Sequence, residues 1–88
     1  GIDPEAVKTY LGSLLGVTDV HDLHIWPMST TETALTAHLV RPGAGIDDAL
    51  LSRASTELEK KFAIQHATLQ IEAGDPAHPC RLAPADVV

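Results

Sequence analysis

The sequence predicts an α+β domain of ferredoxin-like type, an αββαβ two-layer sandwich with two helices on a three-stranded mixed sheet. Two stretches carry apolar residues at helical spacing, one carries a strict alternation with period two, and two β-rich runs are joined by a short polar connection. Asp3 is a good N-cap with Pro4 at the first helical position, and Val7, Leu11, Leu14 and Leu15 recur at helical spacing until Gly16. A strand is expected over residues 17–26, stopped by Pro27. The polar run MSTTE then leads into a second strand over 33–40, close enough to the first to be antiparallel.

The segment Arg41-Pro42-Gly43-Ala44-Gly45 breaks the second strand. Ile46, Leu50, Leu51, Ala54, Leu58 and Phe62 mark the stripe of a second helix, with Glu57, Glu59, Lys60 and Lys61 on its solvated side. In a third strand Ala67, Leu69 and Ile71 alternate with His66, Thr68, Gln70 and Glu72. The strand-helix-strand crossover returns this strand parallel to the second. Residues 1–73 are thus expected to form the domain, and 74–88, with Pro76, Pro79 and Pro84, a flexible tail.

Alternation assigns faces. Leu23, Ile25, Leu35, Ala37 and Leu39 point to the helices, so His24, Trp26, Thr36, His38, Val40 and the polar set of the third strand point to the uncovered face. His21 has the inward parity, but it lies at the strand's start, where a bulge or the sheet edge could free its ring. Histidine is the commonest metal-ligating side chain, so imidazoles gathered across a hairpin suit a borderline cation.

Composition limits the function. With 88 residues, 44% of them hydrophobic and 3% aromatic, the chain is one small domain for which dimerisation is a natural support. A net charge of −6 with six scattered Lys and Arg excludes a nucleic-acid surface and suits cations. Cys80 is the only cysteine, so no intrachain disulfide exists. No apolar run approaches the roughly 20 residues that span a bilayer. RPGAG lacks the continuation of a phosphate loop, and Ser52, Ser55 and Cys80 have no nucleophile context, so no enzyme is expected.

The blocks VHDLHIW at 20–26, AHL at 37–39 and HATLQIE at 66–72 resemble the cytosolic C-terminal domain of the cation diffusion facilitator family, antiporters of zinc and related divalent cations against protons. The resemblance runs from about Ile2 to Cys80. It implies a ferredoxin-like homodimer on the cytoplasmic side of a membrane, covalently linked to upstream transmembrane helices, in which metal binding favours the transport-competent arrangement. His21 and His38 match histidines used as zinc ligands in the family, and Glu72 matches the acidic residue of its last strand. A third family histidine falls where this chain has Gln65, three residues after Phe62, with His66 one place later. His78 and Cys80 resemble cysteine-containing tails in which a thiolate completes a site at the neighbouring protomer.

The expected metal site is therefore His21 and His38 with Glu72 or His66, and His78 and Cys80 as further candidates; His24 reads as structural. Zinc suits these ligands first, with cobalt, cadmium, nickel and copper as competitors. The alternative function is a free-standing metal-binding or metallochaperone-like protein of the same fold.

Overall fold

In the computed structural model, which describes residues 1–43 and 45–83, five elements follow in the expected order. They are α1 (Pro4–Gly12), β1 (Asp19–Pro27), β2 (Thr33–Val40), α2 (Asp48–Phe62) and β3 (His66–Glu72). The strands lie in the order β1-β2-β3, β1 antiparallel and β2 parallel to their neighbours β2 and β3, so the sheet is mixed as the crossover argument requires. Ala44 and residues 84–88, the end of the expected tail, lie outside the described residues.

Both helices cover one face. Val7 and Leu11 of α1 and Leu50, Ala54 and Leu58 of α2 pack with Val20, Leu23, Leu35, Ala37 and Leu39 of the sheet to form the core. Asp3 caps α1 by accepting from the Glu5 amide, and Asp47 caps α2 by accepting from the Leu50 amide. That amide bond, followed by the Arg41 guanidinium 3.2 Å away, holds the Asp47 carboxyl below the usual carboxylate range. At its other end α2 closes in a left-handed turn at Ala63, φ 57°, and the Ile64 amide reaches back to the Leu58 carbonyl while its side chain enters the core.

Two residues leave their expected stripes. α1 ends at Gly12 because the Ser13 amide and hydroxyl take up the Thr9 and Tyr10 carbonyls, so Leu14 turns inward while Leu15 is 79% exposed. Ile46 precedes the α2 cap and is 95% exposed.

One irregularity shapes the uncovered face. His21 pairs with His38 and His24 with Thr36, so β1 uses one more residue than β2 between these pairs. The extra residue is accommodated at Asp22, whose φ of 52° is left-handed. The bulge inverts the parity of β1 on its N-terminal side. Val20 therefore faces the core opposite Leu39, and His21 faces the open side opposite His38.

Candidate metal centre

The two histidines are brought together by the register of β1 on β2, and Glu72 by that of β3 on β2, where it pairs with Val40 two residues beyond His38. The His21 and His38 rings stand edge to face with centroids 5.3 Å apart. Glu72 reaches both, with Oε1 3.1 Å from His21 Nε2 and Oε2 2.9 Å from His38 Nδ1, and the Gln70 side-chain amide donates to Oε2. Beyond β3 the chain turns at Gly74, φ 76°, and the turns of residues 75–83 bring Cys80 Sγ to 3.6 Å from His38 Nδ1. One donor atom from each of His21, His38, Glu72 and Cys80 lies within 4.8 Å of all the others.

This set fits a borderline divalent cation. A tetrahedron on zinc bonds of about 2.0 Å to nitrogen or oxygen and about 2.3 Å to sulfur has edges of about 3.3 to 3.8 Å, so side-chain movements of about 1 Å convert the cluster into such a set. His21 is 5% exposed, and its Nε2 is buried without a hydrogen bond, since the nearby Glu72 oxygen lacks hydrogen-bond geometry. An orphaned buried nitrogen is costly unless something occupies its lone pair.

Proton counting leads to the same place. Asp19 Oδ2 lies 3.1 Å from His21 Nδ1 and Asp22 Oδ2 lies 3.4 Å from His38 Nε2, so each ring has a carboxylate at both nitrogens. A neutral imidazole carries one N–H. In each ring one nitrogen therefore confronts a carboxylate lone pair to lone pair unless a cation, proton or metal, stands between them, and the sides facing Glu72 converge.

The other expected residues are placed elsewhere. His66 lies at the opposite end of β3 from Glu72, six residues or about 20 Å along the strand, with Nε2 3.3 Å from Glu32. It does not reach the cluster. Gln65 ties β3 to the start of β2, its amide donating to the Thr33 carbonyl and its side-chain oxygen accepting from the Thr33 amide. His78 borders the groove of about 550 Å³ beside the cluster, but its Nδ1 is 2.9 Å from Asp75, and that bond and the Ala77 amide hold the Asp75 carboxyl below its usual range. His24 Nε2 contacts Asp22 Oδ1 at 2.8 Å. The resemblance implied that the tail thiolate serves the neighbouring protomer, whereas Cys80 here meets the histidine of its own chain.

Sequence reasoning missed Asp19, Asp22 and Gln70. Asp19 and Gln70 had a signal, since each stands two strand residues from a ligand candidate and shares its face. Asp22 had one as well, since it stands two residues before His24, which alternation puts on the uncovered face.

The family described as the cation efflux protein, cytoplasmic domain, matches residues 1–74. The vacuolar zinc transporter of Toxoplasma gondii is 34% identical over 80 residues, 91% of this chain and 9% of that protein. A probable zinc transporter of Dictyostelium discoideum is 41% identical over 71 residues, 81% of this chain and 13% of that protein. A proton-coupled zinc antiporter of Homo sapiens is 36% identical over 72 residues, 82% of this chain and 19% of that protein. The chain thus spans less than a fifth of the length of these relatives. Among solved structures, the metal-bound C-terminal domain of the CzcD transporter from Cuprividus metallidurans superposes with a TM-score of 0.71 at 33% identity, covering 81% of this chain and 99% of that one. No helix among the described residues is long and apolar enough to cross a membrane. The chain belongs to the family of cation efflux protein cytoplasmic domains.

Proposed function

We propose that this domain regulates a zinc or related divalent-cation efflux transporter by holding a cation through His21, His38, Glu72 and Cys80 and by pairing with a second copy of itself. The observation that carries the reading is the convergence of these four donors around the buried, unbonded His21 Nε2. Two imidazoles, a carboxylate and a thiolate suit zinc first among available cations. The relatives' names, zinc transporters and a metal-bound domain, support the same choice. His66 and His78 are left out of the proposed ligand set because the fold does not bring them to it.

The uncovered sheet face carries Trp26, 44% exposed, and supports pairing of two copies through that side. Two chains of net charge −6 repel at close range. Gathering a divalent cation among these donors offsets part of that charge, and the protomer arrangement favoured is the one with the higher cation affinity. Each protomer has its own packed core, so folding does not depend on the metal. No catalytic role is proposed. The reading of a free-standing metallochaperone has no observation in its favour.

Calorimetric titration with zinc tests the site. The double change His21→Ala, His38→Ala is expected to abolish high-affinity binding while leaving the far-ultraviolet circular dichroism unchanged. Equal affinity and stoichiometry in the two proteins would refute the assignment. Sedimentation at micromolar concentration should give the mass of a dimer, and a persistent monomer with and without zinc would remove the pairing.

A further inference from the structure

The two imidazoles turn opposite nitrogens to the cluster. His21 offers Nε2 and His38 offers Nδ1, and in each ring the remaining nitrogen faces an aspartate of β1. An ionised carboxylate only accepts hydrogen bonds, and each ring has one on both sides, so once a cation takes the nitrogen facing Glu72 the ring's single proton falls to the nitrogen beside the aspartate. Asp19 is that aspartate for His21, in an exposed position, 59% accessible, where solvent screens it. Asp22 is 15% accessible.

Asp22 is also an unusual residue for its place. It sits at the bulge with φ 52°, a conformation that non-glycine residues adopt at a cost and that Asp and Asn tolerate best. Its side chain lies on the open face, where Oδ1 is 2.8 Å from His24 Nε2 and Oδ2 stands 3.4 Å from His38 Nε2. His24 therefore anchors the carboxylate that faces the second nitrogen of His38.

We infer that Asp22 is a positioning residue of the metal centre. With a cation in the cluster it accepts from His38 Nε2–H and holds the ring with Nδ1 turned towards Glu72 and Cys80. Carboxylates behind ligating histidines fix tautomer and ring orientation and raise ligand basicity, and their loss costs about 10- to 100-fold in metal affinity. This inference rests on the reading of the cluster as a metal site, and the protonated nitrogen of His38 is a readout separate from zinc affinity.

The test uses the whole chain and two variants that both accept a positive φ. Asp22→Gly removes the carboxylate, and Asp22→Asn keeps a neutral acceptor. Zinc affinity is measured by competition with a chromophoric chelator, and the protonated nitrogen of His38 by long-range nitrogen–proton correlation in the zinc-loaded chain.

The expected result is a single Nε2–H tautomer of His38 in the unaltered chain, a mixture in Asp22→Gly, and about 10- to 100-fold weaker zinc binding in that variant, partly restored in Asp22→Asn. A His38 tautomer and a zinc affinity both unchanged in Asp22→Gly would overturn the role. So would two zinc ions per chain falling to one, since Asp22 would then be a ligand of a second cation. If the unaltered chain binds no zinc, the metal-centre reading fails, whereas zinc binding with the His38 proton on Nδ1 in the unaltered chain overturns the role of Asp22 alone. Should Asp22→Gly fail to fold, the Asn variant supplies the decision: an unchanged tautomer and unchanged affinity overturn the role, and a partial loss of both supports it.

Discussion

Replacing Gly74 by alanine should weaken zinc binding without touching any proposed ligand. Gly74 has φ 76°, where an L side chain costs about 1–2 kcal/mol. The added Cβ would also lie 2.9 Å from Val40 Cγ1, closer than such atoms approach. Val40 is β-branched and stiff at χ1, so it does not swing aside cheaply. The turn at Gly74 is what returns residues 75–83 towards the cluster, so the strain falls on the docked tail rather than on the core. About 1–2 kcal/mol corresponds to about a 5- to 30-fold loss in the docked population at 1.4 kcal/mol per factor of ten. The loss in zinc affinity has that size, capped by what Cys80 contributes. A double-mutant cycle by calorimetry checks it: Gly74→Ala lowers affinity in the natural background and has no further effect on top of Cys80→Ala. An equal loss in both backgrounds, or none in the first, would refute the argument that this turn delivers Cys80.

Three further outcomes concern the scaffold. Leu39→Ala empties a fully buried position in the central strand, costs about 2–5 kcal/mol and lowers the melting temperature by about 10 °C or more in a domain of this size, read by thermal circular dichroism. Ala63→Gly relieves the left-handed C-cap of α2 at an exposed site and should stabilise by about 1 kcal/mol in urea titration. The Tyr10 hydroxyl is buried without a partner, and burial first, then the nearby Glu57, raises its pKa above the ordinary 10.0. Because the folded value is the higher one, stability is intact below about pH 10 and falls as pH rises above it, and Tyr10→Phe should flatten that alkaline limb.

Much of the fold was legible because local physics writes it. The bounds of β2 and β3 follow from alternation between apolar and polar residues, and the start of α1 follows from Asp3. Where two signals overlapped, the sequence misled. Leu15 and Ile46 continue an apolar spacing past the points where Ser13 and Asp47 satisfy the helix ends, so capping prevailed over periodicity.

The sequence by itself determined the elements, the antiparallel hairpin, the parallel crossover and the presence of His38 and Glu72 on one sheet face, since strand parity is a local property. Through the family resemblance it put His21 first with His38, but it could not decide which of His66, His78 and Cys80 stands with them. Tertiary structure made that choice. The extra residue at Asp22 moves His21 to the face of His38, the register of β3 on β2 puts Glu72 rather than His66 beside His38, and the turn at Gly74 returns Cys80 to its own chain. The physical reason is common to all three: a side chain's neighbours across strands depend on register, bulges and turns, whose geometry is fixed by packing between distant segments rather than by the residues beside it.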